Sequence, residues 1–221
     1  MSFAVEMEYI PFNPIAGIRK KHVAKSRTCL TQGELEMLKK FESDKKHLEE
    51  VRDTFLFSCY TGLSFGDILT LTKNDLITDM NGNKAISKVR EKTHRSRQIE
   101  FFVPLLPSAL ALLKKYQDHS WCLIKNVLLP VRCNQMYNRM LKEICCLCTI
   151  EKNLTTHVAR HTFATTITQD NGISLEAISE MLGHTQIRTT QIYSKTTIRR
   201  VTNEMYQLVK NNLNENSSLA M

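Results

Sequence analysis

Two stretches decide how this chain is read: Thr156-His157-Val158-Ala159-Arg160-His161, and Leu182-Gly183-His184-Thr185-Gln186-Ile187-Arg188-Thr189-Thr190-Gln191-Ile192-Tyr193-Ser194. On a helix, His157 and Arg160 stand three residues apart and share a face. A guanidinium offers a planar fork for two phosphate oxygens, and an imidazole can donate a hydrogen bond or a proton. The pair therefore suits a phosphate whose charge grows in a transition state. His157 and His161 also form a His-x-x-x-His pair that could meet a metal. Val158 stands where zinc proteases carry Glu, however, and no third ligand follows at a usual spacing. Taken alone, the spacing reads first as a structural or surface pair.

Working outward, Thr31-Gln32-Gly33-Glu34 is a capping box that predicts a helix to about residue 41. A second helix is expected over about 45–60, stopped by Thr61-Gly62, and a short one over about 65–71. Asn81-Gly82 is a type I′ hairpin signal between Leu76-Ile77 and Ala85-Ile86. A third apolar run, Ile99 to Val103, ends at Pro104. Helical patterns follow over 107–118, 134–146, 156–170, 174–182, 186–192 and 197–212, with stops at Asn171-Gly172 and Gly183 and an N-cap at Ser174. The expected fold class is mainly α with a small three-stranded antiparallel sheet.

The 221 residues carry 30 Lys+Arg against 22 Asp+Glu, a net charge of +8, and 42% are hydrophobic. That composition excludes a disordered, collagen-like or coiled-coil chain and allows one or two domains. No apolar run is long enough for a membrane span, and the first residues lack a secretory pattern. Seven cysteines, an odd number, point to reduced thiols and a cytoplasmic location rather than to a disulfide framework. Cys145-Cys146-Leu147-Cys148 lacks a second ligand pair and reads as buried apolar cysteine rather than zinc. The positive charge is clustered: Arg19, Lys20, Lys21, Lys25 and Arg27 follow a Pro-containing stretch; Lys84, Lys88, Arg90, Lys92, Arg95 and Arg97 form a second block; Lys195, Arg199 and Arg200 a third. Clustering of this kind favours an acidic partner, nucleic acid first.

Read together, His157-x-x-Arg160, Leu182-Gly183-His184, Tyr193 nine residues further on, Thr61-Gly62-Leu63 with Asp67, and Arg90-Glu91-Lys92-Thr93 occur in one order. This combination resembles the catalytic domain of the tyrosine recombinases, the phage integrase family, over about residues 10 to 210. The Thr-Gly-Leu-Ser version resembles mobile-element integrases of Bacteroides-type bacteria. The resemblance implies a fold shared with type IB topoisomerases and DNA strand cleavage and rejoining without cofactor or metal. Tyr193 would attack the scissile phosphate, forming a 3′-phosphotyrosyl bond and freeing a 5′-hydroxyl. Lys92 would be the general acid, and Arg160, His157 and His184 would hold the phosphate. Asp67 and His161 would support them from behind, and Arg19, Lys20, Lys21, Lys25, Arg27, Arg90, Arg95 and Arg97 would contact DNA.

The chain departs from the family pattern at two points. Most members carry Arg after Thr-Gly-Leu; here Ser64 follows. Losing such a donor would cost roughly 10²–10³ in rate, unless Arg52, Arg95 or Arg97 substitutes. Residues 1–30 would then be a basic linker from an absent core-binding domain, 31–212 the catalytic domain, and 213–221 a polar tail. The partners expected are double-stranded DNA and, on DNA, a tetramer formed by exchange of the C-terminal helix, with a monomer when free and no membrane. A catalytically degenerate DNA-binding regulator is the alternative that Ser64 raises, and a topoisomerase-like relaxing enzyme is a third.

Overall fold

The computed structural model describes residues 2–14, 28–89 and 100–193, together with Thr202, Met205, Tyr206 and Val209. A short N-terminal helix, α1 (Ser2–Glu6), stands in the segment read as a linker. The main body begins at α2 (Gln32–Lys40), where Thr31 Oγ1 accepts from the Glu34 N–H and Glu34 reaches back to the Thr31 N–H, as the sequence predicts. The next helix, α3 (Lys46–Thr61), is the hub. Every residue from Glu50 through Ser64 is buried. A helix buried all round must be enclosed by others, and α2, α5 (Pro107–Tyr116), α7 (Asn134–Leu147) and α8 (Thr156–Thr162) pack around it. Gly62 ends α3 in the left-handed region at φ +70°. After it comes α4 (Phe65–Leu69).

The sheet is three antiparallel strands in sequence order: β1 (Leu76–Thr78), β2 (Lys84–Val89) and β3 (Glu100–Pro104). Leu76 pairs with Ile86, and Ile86 with Val103. Phe101 and Val103 point inward while Glu100, Phe102 and Pro104 are exposed, the alternation a one-sided sheet requires. The first connection is not the type I′ turn that Asn81-Gly82 suggested. That turn needs positive φ at both residues, and only Gly82 has it. Residues 79–83 instead form a longer loop, because Asp79 Oδ1 accepts from both the Asn81 and Asn83 N–H groups at 2.8 Å.

The sequence reading missed α6 (Ser120–Lys125), which has no side-chain cap and ends at Asn126 with φ +52°. The single helix expected over 156–170 is three pieces: α8, a π-helical stretch Phe163–Thr168, and a 3₁₀ turn Gln169–Asn171. Threonine hydroxyls compete for backbone carbonyls and bend helices, and Thr168 Oγ1 donates to Phe163 O at 2.9 Å and Ala164 O at 3.0 Å. Two more threonines on this segment grip the chain ahead of α2. Thr162 Oγ1 accepts from the Leu30 N–H at 2.9 Å, and Thr166 Oγ1 donates to Leu30 O. Completing the body are α9 (Leu175–Met181), capped by Ser174 as expected, and α10 (Ile187–Thr190). All seven cysteines are free thiols; Cys145 and Cys148 are buried, whereas Cys146 is exposed, because three cysteines in four residues cannot share one helical face. Among the described residues no helix is long and apolar enough to cross a membrane.

The middle of α3 is tied down by charge. Asp53 accepts from Arg52 Nε and Lys115 Nζ at 2.7 Å and from the Tyr116 hydroxyl at 2.8 Å. Nearby, Arg132 Nη2 donates to Glu50 at 2.9 Å. Burial alone would raise the Asp53 pKa; the hydrogen bonds from Arg52, Lys115 and Tyr116 outweigh it and hold the carboxyl below its ordinary value of 3.8. A carboxyl with a depressed folded-state pKa binds its proton more readily unfolded, so its contribution is present above about pH 4 and is lost as pH falls through the folded-state value. Urea midpoints measured from pH 7 downward should therefore drop below pH ~4. Asp53→Asn should be less stable at neutral pH by about 3 kcal/mol and lose less on acidification.

Candidate active site

Helix α8 carries His157, which is exposed, and Arg160, which is half-buried. Val158, Ala159 and Thr162 face the core and fix the helix so that the His157/Arg160 side looks outward. Arg160 is anchored at both ends of its fork. Nη1 donates to Gly62 O at 2.6 Å, and Nη2 donates to Leu182 O. These carbonyls belong to two separate helix ends, the C-cap of α3 and the C-cap of α9. Each lies two residues ahead of another residue of interest: Ser64 after Gly62, and His184 after Leu182. One guanidinium thus brings three chain segments together.

His184 is half-buried, and its Nδ1 lies 2.8 Å from Thr190 Oγ1. Thr190 is fully buried and closes α10. Directly after it, a 3₁₀ turn, Gln191–Tyr193, places Tyr193 at its end. The close approach at Gly62 is steric as well as conformational. A Cβ there would stand 2.4 Å from Phe163 Cδ1 and 2.9 Å from Leu182 Cδ2. The sequence showed Gly62 as a helix stop and as part of a motif; its contact with two distant side chains belongs to the tertiary fold.

Ser64 is an N-cap. Its hydroxyl donates to Asp67 Oδ2 at 2.5 Å, its N–H donates to the same oxygen at 3.1 Å, and the Asp67 N–H returns to Ser64 Oγ at 3.4 Å. Asp67 is only 1% exposed. The carboxylate therefore serves the start of α4, and no cation stands at position 64. Arg52 is not the substitute. It is buried against Asp53 and donates to Phe41 O, so reaching Ser64 would mean breaking a buried ion pair. His161 is half-buried beside Arg160 on α8. Lys92, Arg90, Arg95, Arg97 and the basic residues Arg19, Lys20, Lys21, Lys25 and Arg27 lie outside the described residues. Among the described residues no three His, Cys, Asp or Glu side chains converge as metal ligands would. Sequence reasoning missed the two carbonyls and the contact of Thr190 with His184.

The profile of the phage integrase family matches residues 28–200. The chain belongs to the phage integrase family. Tyrosine recombinase XerD of Halalkalibacterium halodurans is 33% identical over 144 residues, 64% of this chain and 48% of that protein. XerD of Staphylococcus saprophyticus is 45% identical over 71 residues, 31% of this chain and 24% of that protein. This integrase-family chain thus spans about half or less of the curated relatives it matches. Among solved structures, the XerA recombinase superposes with a TM-score of 0.62 at 24% identity, covering 82% of this chain and 65% of that one. A lambda integrase dimer bound to a COC′ core site gives 0.65 at 18% identity, over 87% and 68%. The mainly helical body with its three-stranded sheet is the tyrosine recombinase catalytic fold.

Within that fold, the left-handed Gly62 should be irreplaceable. Gly62→Ala combines a strained φ with an overlap on Phe163 and should lower unfolding free energy by about 2–4 kcal/mol. Gly33→Ala, in α2 with nothing within 4 Å of the added carbon, should instead be neutral or stabilising by up to about 1 kcal/mol. Chemical denaturation of the two variants side by side reads the contrast.

Proposed function

We propose that this chain is the catalytic part of a site-specific DNA recombinase or integrase, which cuts and rejoins double-stranded DNA through a 3′-phosphotyrosyl intermediate. The observation that carries the reading is the double anchoring of Arg160 in a chain of this family. It gathers a guanidinium, an imidazole on the same helical face, and the segment leading to a tyrosine. Tyr193 Oη attacks the scissile phosphate and the bond to the 5′-oxygen breaks. Lys92 supplies the proton to the departing 5′-hydroxyl. Arg160, His157 and His184 hold the non-bridging oxygens, where charge grows at the pentacoordinate phosphate. The phosphotyrosyl ester keeps the energy of the broken bond, so a new 5′-hydroxyl reverses the step and reseals the strand. No metal or cofactor enters this sequence of steps.

On this reading residues 31–212 form the catalytic domain and residues 1–30 the basic segment leading into it. The clustered basic residues Arg19, Lys20, Lys21, Lys25, Arg27, Arg90, Arg95 and Arg97 neutralise DNA phosphates, so binding weakens steeply with salt. The exposed apolar positions Met205, Tyr206 and Val209 support a terminal helix that docks on a neighbouring subunit in a DNA-bound tetramer, with a monomer when free. A protein of this kind works in the bacterial cytoplasm, at the nucleoid when bound to DNA.

A library of nicked duplexes with randomised arms traps strand-cleaving enzymes as denaturant-resistant protein–DNA adducts. Wild type should form the adduct and Tyr193→Phe should not. Arg160→Ala should fall by roughly 10²–10³. Absence of any adduct from wild type would overturn the reading in favour of a DNA-binding regulator. Ser64→Arg removes the α4 cap, so it should lower stability by about 1 kcal/mol whatever it does to cleavage.

A further inference from the structure

The contact between His184 and Thr190 assigns a role to a residue that neither the family motif nor the mechanism above uses. We infer that Thr190 is a positioning residue: its hydroxyl donates to His184 Nδ1, which fixes the neutral ring with its hydrogen on Nε2, facing the phosphate. The inference rests on the strand-transfer reading for its consequence, but its structural part stands on hydrogen-bond accounting.

Thr190 is 0% exposed, so its hydroxyl hydrogen has no water to meet. The neighbour of that hydroxyl is His184 Nδ1 at 2.8 Å. A neutral imidazole carries its hydrogen on one nitrogen and a lone pair on the other. If the hydrogen were on Nδ1, it would point at Thr190 Oγ1, and the threonine hydrogen would be displaced into the core without an acceptor. Leaving a buried donor unpaired costs more than a single hydrogen bond gains. If the lone pair is on Nδ1, the threonine donates to it and both groups are satisfied. The second arrangement leaves Nε2–H as a donor. A donor is what a non-bridging phosphate oxygen needs; a lone pair at Nε2 would repel it.

The position of Thr190 adds a second consequence. It closes α10, and the turn that carries Tyr193 begins at the next residue. The same hydroxyl therefore couples the orientation of the His184 ring to the backbone that delivers the tyrosine. Thr189 cannot substitute, because it is exposed where Thr190 is buried.

The test uses the full chain labelled with 15N-histidine, at a pH well above the ordinary imidazole value of about 6.5. The His184 resonances are assigned by their loss in His184→Gln. In wild type, Nδ1 should show the shift of an unprotonated ring nitrogen and Nε2 that of a protonated one. Thr190→Val keeps the shape and removes the hydroxyl; its two nitrogens should move toward averaged values. Thr190→Ser should restore the wild-type pattern. A wild-type spectrum with the hydrogen on Nδ1 overturns the inference without any variant, and so does an unchanged pattern in Thr190→Val. In adduct formation, Thr190→Val should be slower by roughly five- to tenfold, with Thr190→Ser close to wild type. Equal rates for the Val variant and wild type would overturn the catalytic consequence. A wild type that forms no adduct defeats the strand-transfer reading alone, because the spectra decide the tautomer by themselves.

Discussion

A single guanidinium organises the site. Arg160 holds the carbonyls of Gly62 and Leu182, the ends of two helices that are far apart in sequence. Both are helix C-termini, where unsatisfied carbonyls concentrate negative charge. A half-buried cation would be costly to desolvate without such partners. Here the cost is met by groups that themselves need donors. The residues that follow each carbonyl, Leu63-Ser64 and Gly183-His184, inherit their positions from this tie. A lysine at position 160 could not reproduce it, since a point charge lacks the planar fork that addresses two carbonyls in fixed directions.

The rest of the structure is arranged to make that tie rigid. Helix α3 is buried from Glu50 to its end and cannot rotate without disturbing four neighbours. Its middle is pinned by Asp53, Arg52, Lys115 and Tyr116, and its C-terminal end by the left-handed turn at Gly62. The charged cluster at mid-helix and the candidate site beyond its C-terminus are therefore held by one rod. Arg52, in spite of its charge, is committed to Asp53 and Phe41 O, and Ser64 caps α4 with Asp67.

Much of this was legible in the residues. The Thr31–Glu34 box, the stop at Gly62, the cap at Ser174 and the three strands follow from local rules that act within a few residues, and the structure keeps them. The spacing of His157 and Arg160 announced their shared helical face, whereas His184 joined them only through the resemblance to the family. Local rules failed where a distant or side-chain partner decides. Asp79 captured two backbone N–H groups and replaced the two-residue turn. Threonine hydroxyls widened the helix after α8 into a π-helical stretch. The partners of Arg160 are backbone carbonyls, which carry no residue signature, so no pattern of side chains could have announced them.

The grip of Thr162 and Thr166 on Leu30 has a mechanical meaning. The chain enters the body at Leu30, and both polar groups of that residue are clamped to the helical segment that continues directly from Arg160. A pull arriving along the N-terminal segment would pass through two hydrogen bonds into that segment, with no loop between to absorb it. Tension on the entering chain and the placement of the guanidinium are thus on one load path. Whatever holds the N-terminal segment would be felt at the candidate site as a displacement of α8.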